Sequence, residues 1–193
     1  MLDRVRIREG EPEDADACAR VIVDTWRVAY AGIVPSEVLA QLSYAEHANS
    51  YRRSGADRTS GRFTLVAEND VGEVVGLTWA GPAWESEAVH TAEIRMLYVL
   101  PEHQHQGLGR ALLRAAVQRL QEAAHAALLI WVFKDNRPAR AFYEALGGQL
   151  LRERTRELHG FPVQETAYAW RDLSVIEALL TEPVLTRSTK PAP

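Results

Sequence analysis

Residues 91–122 read Thr91-Ala-Glu-Ile-Arg-Met-Leu-Tyr-Val99, Leu100-Pro101-Glu-His103, Gln104-His-Gln-Gly-Leu-Gly-Arg110 and Ala111-Leu-Leu-Arg-Ala-Ala-Val-Gln-Arg-Leu-Gln-Glu122. The first run is rich in β-formers and stops at Pro101, the mark of a strand. From about Leu108 to Glu122 an apolar stripe of Leu108, Leu112, Ala116 and Leu120 marks an amphipathic helix. Between them lies a polar turn with two glycines. Glycine lets backbone approach a ligand, and the unpaired N–H groups of a first helical turn converge on negative charge, so strand, turn and helix together form an anion cradle suited to a pyrophosphate. Neither the P-loop spacing nor Gly-x-Gly-x-x-Gly is present, since Gly107-Leu-Gly109 continues Arg110-Ala-Leu112.

Downstream, residues 127–133 (Ala-Leu-Leu-Ile-Trp-Val-Phe) are apolar without alternation, which predicts a central strand covered on both faces. A helix follows from about Arg137 to Leu146, with Asn136 as N-cap and Gly147-Gly148 ending it. Residues 149–157 and 163–171 predict a hairpin turning around His159-Gly-Phe-Pro162. Upstream, residues 4–8 alternate as a strand, Glu13 to Tyr30 carries a helical pattern, and a second helix is expected from Ser36, as N-cap, to about Arg52, with loop over 53–61. Residues 62–68 and 73–80 read as a hairpin across Asn69-Asp-Val-Gly72. The order β-α-α-β-β-β-α-β-α-β-β predicts a single α/β domain over 1–172, with a mixed sheet of about seven strands and helices on both faces. Residues 173–193 read as a tail, partly disordered or with a short helix such as Val175 to Leu180.

The 193 residues hold 22 basic and 26 acidic side chains, a net charge of −4, which disfavours a nucleic-acid partner. Arg outnumbers Lys 20 to 2. Codon usage in a GC-rich genome is the ordinary source of that bias, and anion binding is the other. A lone Cys18 excludes an internal disulfide and reads as a small buried side chain rather than a nucleophile. No apolar run is long enough to cross a bilayer, and the charged beginning of the chain shows no secretory signal, so a cytoplasmic protein is expected. His103 and His105 have no Cys partner or zinc-type spacing, and no metal is expected.

Gln104-His-Gln-Gly-Leu-Gly109 matches Gln/Arg-x-x-Gly-x-Gly/Ala. Together with Glu93-Ile-Arg-Met-Leu-Tyr-Val99, Pro101, the helix opening Gly109-Arg-Ala-Leu-Leu113, and then Asn136, Ala139, Phe142, Tyr143 and Gly147-Gly148, the chain resembles the GNAT superfamily of N-acetyltransferases. The likeness runs from about residue 4 to 171. It implies acetyl-CoA as co-substrate, transfer to an amine by direct attack in a ternary complex, and cofactor contacts from Gln104, His105, Gln106, Gly107, Leu108, Gly109 and Arg110. It also implies contacts from the strand Leu97-Tyr98-Val99, where the main chain of Leu97 and Val99 pairs with the pantetheine arm and one N–H faces the thioester oxygen, and from Asn136, Ala139 and Tyr143.

Asn136, Arg140 and Tyr143 fall on one helical face, with Ala139, Phe142 and Leu146 beside them. By the resemblance Tyr143 is the general acid, since a phenol with a pKa near 10 can protonate a departing thiolate. The base is expected to be Glu93, four residues before Leu97 and so on its strand face, unless it is bound to Arg95; His90 and Glu165 are weaker candidates, and water is another route. The resemblance makes Trp26 and Tyr30 candidate contacts of the acceptor, or else core, and Trp79 and Trp84 possible flanks of the same cavity. A non-catalytic acyl-CoA sensor, transfer of a longer acyl group and a homodimer through a free sheet edge also fit the sequence.

Overall fold

Seven strands, β1 (Arg6–Glu9), β2 (Phe63–Glu68), β3 (Val74–Pro82), β4 (Thr91–Val99), β5 (Ala127–Phe133), β6 (Gln149–Leu158) and β7 (Phe161–Trp170), form one sheet in the order β1-β2-β3-β4-β5-β7-β6. The computed structural model describes residues 5–55, 60–84 and 91–181. Every pairing is antiparallel except β4 with β5. The expected mixed α/β sheet is therefore present. The β2–β3 turn forms as its residues predict, with Asn69 Oδ1 accepting the N–H groups of Val71 and Glu73 at 3.2 and 2.8 Å. The last hairpin turns more tightly than expected. His159 and Gly160, at φ 49° and 83°, make a two-residue turn, and Phe161 and Pro162 already belong to β7.

Six helices flank the sheet: α1 (Ala15–Ala29), α2 (Ser36–Ala40), α3 (Tyr44–Gly55), α4 (Leu108–Glu122), α5 (Arg137–Ala145) and α6 (Leu173–Thr181). The single helix expected over 36–52 is two. Pro35 takes the cap position in place of Ser36, and Ser43 restarts the chain by accepting the Glu46 N–H on its hydroxyl at 3.3 Å. That second helix runs on into the expected loop. Helix α6 starts earlier than Val175 and buries Leu173, Ile176 and Leu180 in the core, so packing continues past Asp172. Residues 182–193 lie outside the described residues. Among the described residues no helix is long and apolar enough to cross a membrane.

The sheet has two unlike faces. On one, α4 packs Leu112, Leu113, Ala116 and Leu120 with Ile94, Ile130, Tyr168 and Trp170. A Cβ on Gly76 would stand 3.1 Å from Leu112 Cδ1, which fixes α4 to that side. On the other face α1 lays Trp26 and Tyr30 against Phe133, with ring centroids 6.1 and 4.7 Å away. Cross-strand partners share a face, so Phe133, Glu165 and Arg154, and likewise Trp131, Ala167 and Arg152, belong to the α1 side.

Candidate functional site

Strand β4 has nine residues, yet it pairs with β5 only from Thr91–Ala127 to Ile94–Ile130. Beyond that, β4 stays with β3 as far as Val99–Gly76, and β5 stays with β7 as far as Phe133–Glu165. The sheet therefore opens as a wedge. The Leu100 N–H donates to the Val75 carbonyl at 2.9 Å, so by antiparallel alternation Tyr98 also faces β3, while Leu97 and Val99 turn their main chain into the opening. The Val99 carbonyl accepts from Gln104 Nε2 at 2.9 Å and Thr25 Oγ1 at 3.3 Å. Gln104 thus braces the loop against the strand.

At the wide end of the wedge the chain passes through a 3₁₀ turn (Pro101–His103), His105 at φ 59° and Gly107 at φ 86° before entering α4. The first helical bond runs from the Ala111 N–H to the Gly107 carbonyl, so Leu108, Gly109 and Arg110 have N–H groups without an intrahelical acceptor. The N-cap Gly107 makes no side-chain cap bond, and the first turn holds no acid. A Cβ on Gly109 would meet only Phe142 Cζ at 3.9 Å. Glycine costs a helix about 1 kcal/mol relative to alanine, and nothing inside the protein demands it here, so the room it leaves suits a molecule from outside. The Arg110 guanidinium donates to the Leu179 carbonyl of α6. At this turn Arg110 offers its amide.

Helix α5 forms the far wall. Asn136 Oδ1 accepts the Ala139 N–H at 3.3 Å, the expected cap, and Ala139 packs on the core. Arg140 is held by the Tyr168 hydroxyl and the Lys134 carbonyl, each at 3.0 Å. Tyr143 is 7% exposed, with its ring near Tyr168 and Trp170. Its hydroxyl has no hydrogen-bond partner among the described residues. Burial, helped by the nearby Tyr98 hydroxyl, pushes the Tyr143 phenol well above its usual range, so it is a more reluctant acid than the expected value near 10 and stays protonated.

The expected common face of Glu93 and Leu97 does not exist. Trp79 pairs with Met96 and Ala80 with Ile94, leaving Arg95 as the extra residue of a β-bulge. That extra residue reverses the alternation, so Glu93 shares a face with Met96 and Tyr98 and Leu97 points to the other. Glu93 is buried, with Arg95 Nε 3.4 Å from Oε1 and the Trp84 N–H donating to Oε2 at 3.4 Å. Arg95 lies over the Trp84 ring at 3.3 Å, and Trp79 meets Trp84 edge-on at 6.4 Å. The two tryptophans therefore flank Arg95. His90 lies outside the described residues.

Trp26 and Tyr30 stand edge-to-face at 4.9 Å. Trp26 Nε1 donates to the Tyr98 hydroxyl at 3.0 Å, and the Tyr30 hydroxyl lies 3.5 Å from the same atom. They join Tyr98 and Phe133 in an aromatic box beside the wedge while packing on the core. Glu165 is the residue the sequence undervalued. It is buried at this end of β7, with Arg154 Nε on Oε2 at 2.8 Å and Arg156 Nε on Oε1 at 2.9 Å. The alternation Arg152-x-Arg154-x-Arg156 was its available signal. Burial pushes the Cys18 thiol up to about 12, far from a reactive thiolate. A cleft of about 410 Å³ lies elsewhere, between the α2–α3 stretch and the His159 turn.

The model of the Acetyltransferase (GNAT) family matches residues 26–148. The uncharacterized N-acetyltransferase YuaI of Bacillus subtilis (strain 168) is 32% identical over 176 residues, covering 91% of this chain and 98% of its own. The PaiA N-acetyltransferase of Thermoplasma acidophilum, solved with coenzyme A, superposes with a TM-score of 0.64 at 22% identity, covering 84% of this chain and 97% of its own. The YncA structure from Salmonella typhimurium, solved with its cofactor acetyl-CoA, gives 0.64 at 20% identity over 88% of this chain and 94% of its own.

Proposed function

Because the chain belongs to the GNAT acetyltransferase family, we propose that it moves an acetyl group from acetyl-CoA to a primary amine by direct attack in a ternary complex. The observation that carries this reading is the wedge opening after Ile94 and Ile130 beside an uncapped helix start where a Cβ on the glycine would meet just Phe142 Cζ, at 3.9 Å, among the described residues. The amides of Leu108, Gly109 and Arg110, with the α4 dipole, hold a diphosphate. Leu97 and Val99 offer main-chain groups along the wedge.

Acetyl-CoA, when bound, supplies the thioester carbon that the amine attacks. An N–H on β4 stabilises the negative charge that grows on the carbonyl oxygen. Tyr143 Oη, protonated and buried, gives its proton to the sulfur as the carbon–sulfur bond breaks and regains one from solvent. Glu93, the expected base, is held by Arg95, so the acceptor's ammonium gives its proton to water at the open face before the free amine attacks. Cys18 is buried and its thiol is raised, which supports transfer without an acyl-enzyme.

Thiol release from acetyl-CoA with a panel of amines tests the reading, with intersecting initial-velocity lines expected. Parallel lines, or no release with any amine, would overturn it. Calorimetry with coenzyme A on Gly109→Val is expected to show affinity about tenfold weaker or worse with the fold intact, since only Phe142 lies near the added carbon.

A further inference from the structure

We propose that Arg154 and Arg156, mounted on the buried carboxylate of Glu165, form an oxyanion-binding site for the acceptor, so that the amine acetylated by this chain carries a carboxylate or phosphate. The inference rests on the amine-acetyltransferase reading for where the acceptor lies. Glu165 pairs across the ladder with Phe133, the last β5 residue before the wedge mouth, and Phe133 packs on Trp26 and Tyr30. The Glu165 carboxylate raises the phenols of Tyr30 and Tyr98, and the Arg156 guanidinium lowers that of Tyr98, though burial is the main influence on both. Through Glu165 and its ladder partner Phe133 the arginine pair is thus tied to the strand ends that carry the aromatic box.

One arginine neutralises one carboxylate. Here a buried glutamate carries two, each bound through Nε. Arg156 is 41% exposed, and its terminal nitrogens have no partner among the described residues. Such a planar fork matches the two oxygens of a carboxylate or phosphate. Arg154 also lies over the Trp131 ring at 3.9 Å, so stacking on one side and Glu165 on the other hold it in place. The surroundings add to the positive potential. Arg95 is buried enough for its guanidinium to be pushed down, and Arg62 and Arg154 add to that push. Arg95 is itself paired with Glu93, while Arg156 keeps its terminal guanidinium nitrogens for the acceptor. That cation would repel a polyamine, and it would draw in and orient an amine bearing an oxyanion.

The test uses the full chain with coenzyme A bound and follows tryptophan fluorescence, since Trp131 and Trp26 border the site. O-phosphoethanolamine is titrated against ethanolamine, β-alanine against propylamine, and spermidine is added as a polycation. The oxyanion member of each pair is expected to bind about tenfold more tightly, with the two pairs separating phosphate from carboxylate. Arg156→Gln should erase most of that preference, and Arg156→Lys should restore part of it. Equal binding within both pairs, tighter spermidine, no saturable binding up to millimolar concentration, or a preference unchanged in Arg156→Gln would overturn the site. Thiol release with acetyl-CoA is read on the same amines. Oxyanionic amines that bind but are never acetylated would sink the transferase reading and leave the site standing; acetylation without preference would do the reverse.

Discussion

The two faces of the sheet are built from different materials. Under α4 the contacts are Leu112, Leu113, Ala116 and Leu120 on Ile94, Ile130 and Tyr168, all at or near zero exposure. On the α1 side, around β4, β5 and β6, arginines lie on tryptophans instead: Arg95 on Trp84, and Arg152 and Arg154 on Trp131. Apolar interlocking tolerates no gap, so the first face fixes the fold. Stacked guanidinium groups keep a polar edge toward water, so the second face can be altered without losing the structure and is free to meet ligands.

The largest expected effect tests the first face. Leu112→Ala removes a side chain with no exposed surface and should cost about 3 kcal/mol in urea unfolding. A loss below about 1 kcal/mol would mean that the packing of α4 on the sheet does not fix the fold. Next comes helix α5, at the far wall of the wedge. Tyr143→Phe should lower kcat about a hundredfold or more, with the KM for acetyl-CoA little changed. Its stability should hold within about 0.5 kcal/mol, because the hydroxyl has no bond to lose. Unchanged turnover would remove Tyr143 from the chemistry and leave it as packing for Trp170.

The second face predicts a smaller cost. Arg154→Gln leaves Glu165 its bond to Arg156, so unfolding should weaken by no more than about 1 kcal/mol. A loss matching that of Leu112→Ala would erase the distinction between the faces. The smallest effect belongs to neither. Arg8 grips Asp14 through two bonds of 2.7 and 2.8 Å and holds its carboxyl below the ordinary 3.8. Stability from this pair is complete above that pH and drains away as pH falls through the lower folded value. Asp14→Asn should therefore be less stable than the parent at neutral pH, and the gap should close in acid.

The order of elements along the chain and most strands were legible in the sequence because burial writes itself as period: 127–133 is apolar throughout and proves central, and 62–80 carries its own turn at Asn69. The Asn136 cap was legible for the same local reason. The bulge at Arg95 was not, since an extra residue in a strand leaves composition unchanged and shows only against the partner β3, and the placement of Glu93 failed with it. Nor was the break before Ser43 visible in a run that keeps helical composition on both sides. The alternation Arg152-x-Arg154-x-Arg156 placed these arginines on one strand face, but which residue they meet depends on the register of β6 and β7, which that pattern does not state.

The short ladder between β4 and β5 has a mechanical corollary. Among the described residues four pairs stitch the first four strands of the sheet to the last three, and past Ile94 and Ile130 the seam is left unsewn. A slender guest lodged in that seam takes the place of a missing strand and works as mortar between two leaves. Amides on both sides of it, at Leu97 and Val99 and at Trp131 to Phe133, would then slow their hydrogen exchange together, so that occupancy could be read from rigidity before any product forms.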